Sequence, residues 1–318
     1  MINYISFPGL GIEEMKINRV AFEVFGNPIY WYGVITVIAI VIVFTFVLLR
    51  GKREGLIPDD TIDFVLLAVP LAVIGARVYE ILTNLDDYHT LKKMLDIRSG
   101  GLSIYGVLIG AIIGVVVIAR IKKVRLLRML DIASNGTLLA QSFGRWENFV
   151  NAECYGSETT LPWRMGIRPD GAASAIYVHP TFLYESIWNL IGFILITLLH
   201  RKKKFDGQIF LMYFCWYGLG RGFIEILRQH TSDIELFGHT VKANSLMSFI
   251  LLGVCSIALV VLFIMRKKGR SFPVCSNGTP IYYPGAKHYE MGKALMESYD
   301  EKGKKIKEDK EVKEDKEE

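Results

Sequence analysis

Cysteine is scarce. Cys154, Cys215, Cys255 and Cys275 are the four in 318 residues. None stands in a CxxC or Cys/His spacing, which leaves a metal site without a ligand pattern. Cys215 and Cys255 fall inside apolar stretches and read as packing residues. The opening MINYISFPGL lacks a basic region followed by a short apolar core, so no cleaved signal peptide is expected. No internal repeat is visible. Basic residues are not spread as a nucleic-acid footprint would be; they sit beside apolar blocks, and no nucleic-acid partner is expected.

Apolar residues are abundant, at 51% of the chain with a mean hydropathy of +0.31. They cluster in blocks of roughly 20, the length that crosses a hydrocarbon core of about 30 Å. The blocks run over 29–49, 62–82, 101–119, 132–150, 181–199, 208–227 and 245–265. Basic clusters follow the first, third, fifth and seventh. Because consecutive spans alternate direction, these sixteen basic residues share one face, against nine on the other. The excess predicts the N-terminus outside and the C-terminus in the cytoplasm.

The reading is therefore an all-α polytopic membrane protein of about seven transmembrane helices. Residues 1–28 form an extracytoplasmic arm. Residues 29–265 form the seven-helix transmembrane bundle, with an outer loop region at 151–180, and 266–318 a cytoplasmic charged tail. Within the arm, Phe7 to Phe25 fits either a short strand or an interfacial amphipathic segment. The KGKKIKEDKEVKEDKEE end has almost no apolar residues and reads as disordered or a frayed helix.

A charged residue within a span costs about 2.5–3.5 kcal/mol on insertion scales. Arg77, Arg145 and Arg221 all lie in or near apolar blocks, each toward the outer end. Internal pairing is one explanation: Arg77 with Glu80, Arg145 with a facing acid, Arg221 with Glu225 at i, i+4. Three guanidinium groups at one depth favour the other, an anionic ligand, because the planar fork suits phosphate. A phosphate at that depth belongs most simply to a phospholipid of the bilayer.

Three polar runs stand out. In Gln141–Gly156, Arg145, Asn148 and Asn151 follow at spacings of three and can share a helix face; capping the helix end explains the Asn residues equally well. In His179–Glu185, Thr181 suits an N-cap and Glu185 a helix N-terminus, while Tyr184 and Glu185 also fit an inward polar network. In Gly100–Gly110, Gly106, Gly110 and Gly114 make small-xxx-small steps that let helices approach closely. Ser103 and Tyr105 stand near the outer end of that block.

These motifs resemble the prolipoprotein diacylglyceryl transferase family. GRWENFVNAECYG is similar to the family's signature, and YWYG, GARVYE, GGLSIYG, HPTFLYE and YGLGRGFIE follow in the family's order, with Asp131 and Gln141 also fitting. The resemblance covers roughly residues 25 to 265. It implies a seven-span enzyme of the bacterial cell membrane, without a cofactor. Its substrates would be phosphatidylglycerol and the lipobox cysteine of a prelipoprotein signal peptide. It implies that Arg145 and Arg221 are essential, with Asn148, Glu153, Gly156 and Tyr217 in support. Arg77, Asn151 and Glu225 join the expected substrate-binding set. Three positions depart from the family's pattern. Tyr105 stands where many members have His, Val107 where Gly is frequent, and Glu147 where Gly is frequent. Tyr105 is a poor base near neutral pH and suits hydrogen bonding, which leaves Glu147 and His179 as the proton acceptors to consider. A transporter or channel for an anionic solute would use the same arginines, but the two-half symmetry of many transporters is missing. A non-catalytic lipid-binding scaffold is a third class.

Overall fold

A computed structural model describes residues 2–96, 100–229, 233–236, 239–271, 274 and 278–299. The charged tail, Arg98 and Cys275 lie outside the described residues. In chain order the elements are β1 (Ile2–Phe7), β2 (Ile12–Asn18), β3 (Val20–Val24), β4 (Asn27–Tyr30), α1 (Trp31–Arg53), α2 (Pro58–Thr83), α3 (Leu91–Leu95), α4 (Ile104–Ile121) and α5 (Leu126–Asn151). There follow β5 (Met165–Pro169), β6 (Ile176–Val178), α6 (Thr181–His200), α7 (Gln208–Leu227), β7 (Asp233–Leu236), β8 (His239–Lys242), α8 (Ala243–Lys267) and α9 (Tyr289–Glu297).

The chain is mostly helical, and four helices are both long and apolar enough to cross a membrane. These are α1, α2, α6 and α8, with mean hydropathies of 2.8, 2.0, 1.8 and 2.8. In α4 the apolar stretch is shorter, Tyr105–Ile121. In α5 it is interrupted by Arg128, Asp131, Arg145 and Glu147.

The expectation of an all-α chain is corrected by small antiparallel sheets outside the long helices. The largest has the order β2-β1-β5-β6. Its central register places Ile5 opposite Met15 on one side and Ile167 on the other, with Met165 opposite Val178. Ile5, Phe7, Met165, Ile167 and Val178 are buried there beside Phe182 of α6, and Phe149 of α5 packs against them. The arm around Phe7 to Phe25 is thus strand, β2 followed by the β3–β4 hairpin. This apolar cluster matters because it clamps the end of α5 to the start of α6, the two segments that carry Arg145 and Glu185.

The chain divides into two compact units, residues 1–46 with 130–275, and residues 47–129 with 276–318. In the first, α6 and α7 are held by a reciprocal indole pair. Trp188 Nε1 donates to the Trp216 carbonyl and Trp216 Nε1 to the Trp188 carbonyl, each at 2.9 Å. The rings stack at 4.3 Å. Gly192 and Gly220, four residues after each Trp, leave no room for a Cβ against the opposite indole. Asp131 of α5 accepts from the Gly207 and Phe210 amides at 2.9 Å, satisfying donors at the start of α7.

In the second unit α2 and α4 touch backbone to backbone along the small-xxx-small stripe. A Cβ on Gly106 would collide with the Gly75 carbonyl, one on Gly110 with the Leu71 carbonyl, and one on Gly114 would lie 2.8 Å from Ala68 Cα. Gly110→Val should therefore destabilise the protein by roughly 1–3 kcal/mol, the usual range for overpacking. Gly33→Ala, where nothing lies within 4 Å, should not destabilise it. Thermal unfolding in detergent separates the two, and equal melting temperatures would contradict this account of the α2–α4 contact.

Candidate active site

Arg145 on α5 and Arg221 on α7 meet on one carboxylate, Glu185 of α6. Arg145 Nε pairs with Glu185 Oε2 and Arg221 Nη1 with Glu185 Oε1. A third guanidinium, Arg228, joins at 3.4 Å from Glu185 Oε1. Behind these, Glu225 Oε2 lies 2.8 Å from Arg221 Nη2 and 3.7 Å from Arg228 Nε. Its Oε1 accepts from Asn244 Nδ2 at 3.0 Å. Lys242 Nζ closes the end of α7 on the carbonyls of Glu225, Ile226 and Arg228. The five-residue core holds three cations and two anions, one positive charge in surplus.

Exposure grades through this cluster. The side chains of Glu225 and Glu185 are 1% and 5% exposed, those of Arg228 and Arg221 are 9% and 14%, and that of Arg145 is 24%. The carboxylates are the buried scaffold and Arg145 stands at the open side. Arg145 Nη1 donates to Asn148 Oδ1 at 3.2 Å, and its Nη2 has no protein partner among the described residues. A second anion approaching from that side meets a free guanidinium edge, and the fork geometry suits phosphate oxygens.

The loop after α5 is tied to the same place. Asn148 and Asn151 both donate to Glu153 Oε1, at 3.2 and 3.1 Å. Arg19 holds the Asn151 carbonyl at 2.6 Å. Gly156 donates to the His179 carbonyl at 2.9 Å, and its backbone bridges to Arg228. A Cβ at Gly156 would lie 2.6 Å from His179 Cβ and 2.9 Å from the Leu227 carbonyl, so only glycine fits without displacement. Thr181 is not the N-cap of α6. Pro180 holds that position, and the Thr181 hydroxyl donates instead to the Cys154 carbonyl at 2.5 Å.

The remaining expected site residues fall around or apart from this cluster. Tyr217 stacks on Tyr213 at 6.0 Å, and the Tyr213 hydroxyl accepts from Gln141 at 3.0 Å. Glu147 accepts from the Thr36 hydroxyl at 2.7 Å. His179 Nδ1 lies 3.2 Å from the Tyr184 hydroxyl, and burial pushes its imidazole below the usual value, so the ring is neutral near pH 7. Arg77 and Tyr105 belong to the other unit. Arg77 donates to the carbonyls of Lys93, Met94, Asp96, Gly100 and Gly101 and to the Tyr88 hydroxyl, at 2.6 to 3.2 Å. The expected partner Glu80 is not among its ion pairs, and the guanidinium organises the loop between α2 and α4. Tyr105 is exposed, its ring 5.9 Å from that of Tyr79.

In the sequence Glu185 reads as a helix-start residue that also fits an inward polar network, and Arg228 is counted only among the nine basic residues of the outer face. The signal for Arg228 was its i, i+3 spacing from Glu225. The pairing of Glu185 with Arg145, forty positions apart, carried no local signal.

Comparison with known proteins gives this arrangement a context. The family model for prolipoprotein diacylglyceryl transferase matches residues 19–264. The phosphatidylglycerol–prolipoprotein diacylglyceryl transferase of Finegoldia magna is 39% identical over 79% of this chain and 97% of its own length. The proteins of the same name from Clostridioides difficile and Enterococcus faecalis are 40% and 36% identical. They align over 67% and 80% of this chain and 84% and 92% of their own. The matched span carries α1 to α7 and most of α8, with Arg145, Glu185, Arg221, Glu225 and Arg228 all inside it: the chain belongs to the prolipoprotein diacylglyceryl transferase family.

Proposed function

We propose that this chain transfers the diacylglyceryl group of phosphatidylglycerol to the lipobox cysteine of a prelipoprotein, the first step of lipoprotein maturation. The observation that carries the reading is the convergence of Arg145, Arg221 and Arg228 on Glu185, with Glu225 behind them and one positive charge in surplus among the five. Family membership supports it independently. The protein works in the bacterial cytoplasmic membrane, with α1, α2, α4, α5, α6, α7 and α8 as its seven spans. Its N-terminus lies outside and its C-terminus in the cytoplasm.

In the reaction the cysteine thiolate attacks the glycerol carbon that bears the phosphate. A C–S bond forms, the C–O bond to phosphate breaks, and glycerol phosphate leaves with the electron pair. Charge on the phosphate grows from one toward two as that bond breaks. Guanidinium groups already in place stabilise that growth without reorganising, and stabilisation of this kind lowers the barrier. The same positive field favours thiolate over thiol. Glu185 and Glu225 fix the arginines. Asn148, Asn151 and Glu153 fix the loop beside Arg145, Gly156 admits close packing behind it, and Tyr217 stacks on Tyr213; Arg77 organises the loop between α2 and α4. The thiol proton passes to His179, neutral near pH 7, or to Glu147.

Tyr105 acts through hydrogen bonding, not as a base. Tyr105→Phe should retain measurable transfer, and complete loss would put its hydroxyl in the chemistry. The function itself is tested by incubating purified protein with phosphatidylglycerol and a lipobox peptide. A peptide mass gain of one diacylglyceryl unit is expected. No gain, with retained lipid binding, would leave a scaffold; no gain, with flux of an anionic solute across vesicles, would leave a transporter.

A further inference from the structure

We infer that the basic end of α4 carries a second lipid site, which takes the phosphodiester headgroup of an acidic phospholipid. A cavity of about 430 Å³ opens where α4 ends and α5 begins, lined by Ala119, Arg120, Lys123, Leu126 and Tyr283 among others. Its size is that of a small-ligand site. Four cations stand here. Lys122 is neutralised by Asp60, at 2.8 Å, and by Asp63. Arg120, Lys123 and Arg125 have no acidic partner among the described residues. Lys123 Nζ makes one long bond, 3.5 Å, to the Gly285 carbonyl. Arg125 lies 4.8 Å above the Tyr283 ring, and its Nε is buried with no hydrogen-bond partner. The α5 helix begins at Leu126 with no acidic residue in its first turn, so nothing there neutralises the positive end of its dipole.

The apolar side of the cavity distinguishes a lipid from a free anion. Val116 lines it, and from there Ile109, Ile112, Ile113 and Val117 continue along α4 as exposed apolar surface. A headgroup among the cations would lay its acyl chains on that face. Positive charge that serves only topology needs no cavity, and here one is built. Its far wall, Tyr283, belongs to a segment beyond the family-matched residues 19–264. That segment is firmly seated. Ile281 and Tyr282 are fully buried, Arg125 N donates to the Ile281 carbonyl at 2.9 Å, and Tyr283 N donates to the Lys123 carbonyl at 2.8 Å. Tyr282 also holds Asp60 and accepts from the Ile57 amide at 3.1 Å. The site is thus completed by a residue outside the family-matched span.

The inference rests on α4 being a membrane span, and its test is separate from catalysis. The full chain is reconstituted with a phosphatidylglycerol carrying a photoreactive headgroup, and labelled peptides are identified by mass. Labelling of the peptide that holds Tyr283 is expected. Unlabelled phosphatidylglycerol should displace it, and phosphatidylcholine should not. Arg120→Gln with Lys123→Gln should lower it on the order of tenfold, while transfer to the lipobox peptide stays at the parent's rate. The charge-conserving pair Arg120→Lys with Lys123→Arg should label like the parent. Absent labelling, equal labelling in the neutral pair, loss in the charge-conserving pair, or displacement by phosphatidylcholine overturns the site. Displacement by inorganic phosphate alone overturns the lipid assignment. A parent that transfers without labelling sinks this site only; one that labels without transferring sinks the transferase reading only.

Discussion

Arg145→Ala lowers diacylglyceryl transfer by about 10³-fold, the upper range for removing one preorganised donor from a charge-stabilising site. Arg145 is the most exposed guanidinium of the cluster, and its Nη2 has no partner among the described residues, so in the proposed reaction it is the one that touches the departing phosphate. Its removal leaves Glu185 paired with Arg221 and Arg228, which limits the damage to folding. The check is a transfer rate measured beside a melting temperature. Near-parental melting with transfer close to background is expected. Full activity in Arg145→Ala would remove this residue from the chemistry. Arg221→Ala should also abolish transfer. Because Arg221 bridges Glu185 and Glu225, it should also lower the melting temperature more than Arg145→Ala does.

The second large effect is on stability. Glu185 is 5% exposed and serves three guanidinium groups. Removing one partner of a buried ion pair strands the other charges, at a cost of about 3–5 kcal/mol. Glu185→Ala should therefore lower the melting temperature in detergent sharply and abolish transfer. Glu185→Gln keeps the shape and one acceptor but not the charge, so it should fall between. Arg228→Gln added to Glu185→Gln removes one stranded cation and should restore part of the loss. A melting temperature for Glu185→Ala equal to the parent's would mean that the arginines do not depend on this carboxylate.

Much of the helical framework was legible because long apolar runs have few other uses. The run from 208 to 227 coincides with α7, and that from 181 to 199 with α6 to within one residue. The glycine stripe of α4 announced a close helix contact for an equally local reason, since small residues at every fourth position leave a groove, but not that α2 fills it. The four-stranded sheet was not legible. Its strands are three to seven residues long, and β1 pairs with β5 across more than 150 positions, so no periodicity within one window could reveal it.

The site divides along the same line. Arg221 and Glu225 pair at i, i+4 on one helix, as their spacing suggested. An acid facing Arg145 was foreseen in kind, but its identity depended on how α5 and α6 meet. Glu185 therefore read as a helix-start residue that also fitted an inward polar network. Arg77 shows the converse. Its depth matched that of the other arginines along the sequence, yet its donors go to loop carbonyls between residues 93 and 101. Only the folded loop brings five carbonyl oxygens to one guanidinium.

The most direct measurement is an experimental structure of this chain in a lipid nanodisc with phosphatidylglycerol bound. The account predicts the lipid phosphate against the open edge of Arg145, with Arg221 on the same headgroup and the glycerol carbon facing a chamber large enough for a cysteine side chain. A headgroup bound elsewhere, with both arginines still closed on Glu185 and no path for lipid between them, would contradict it.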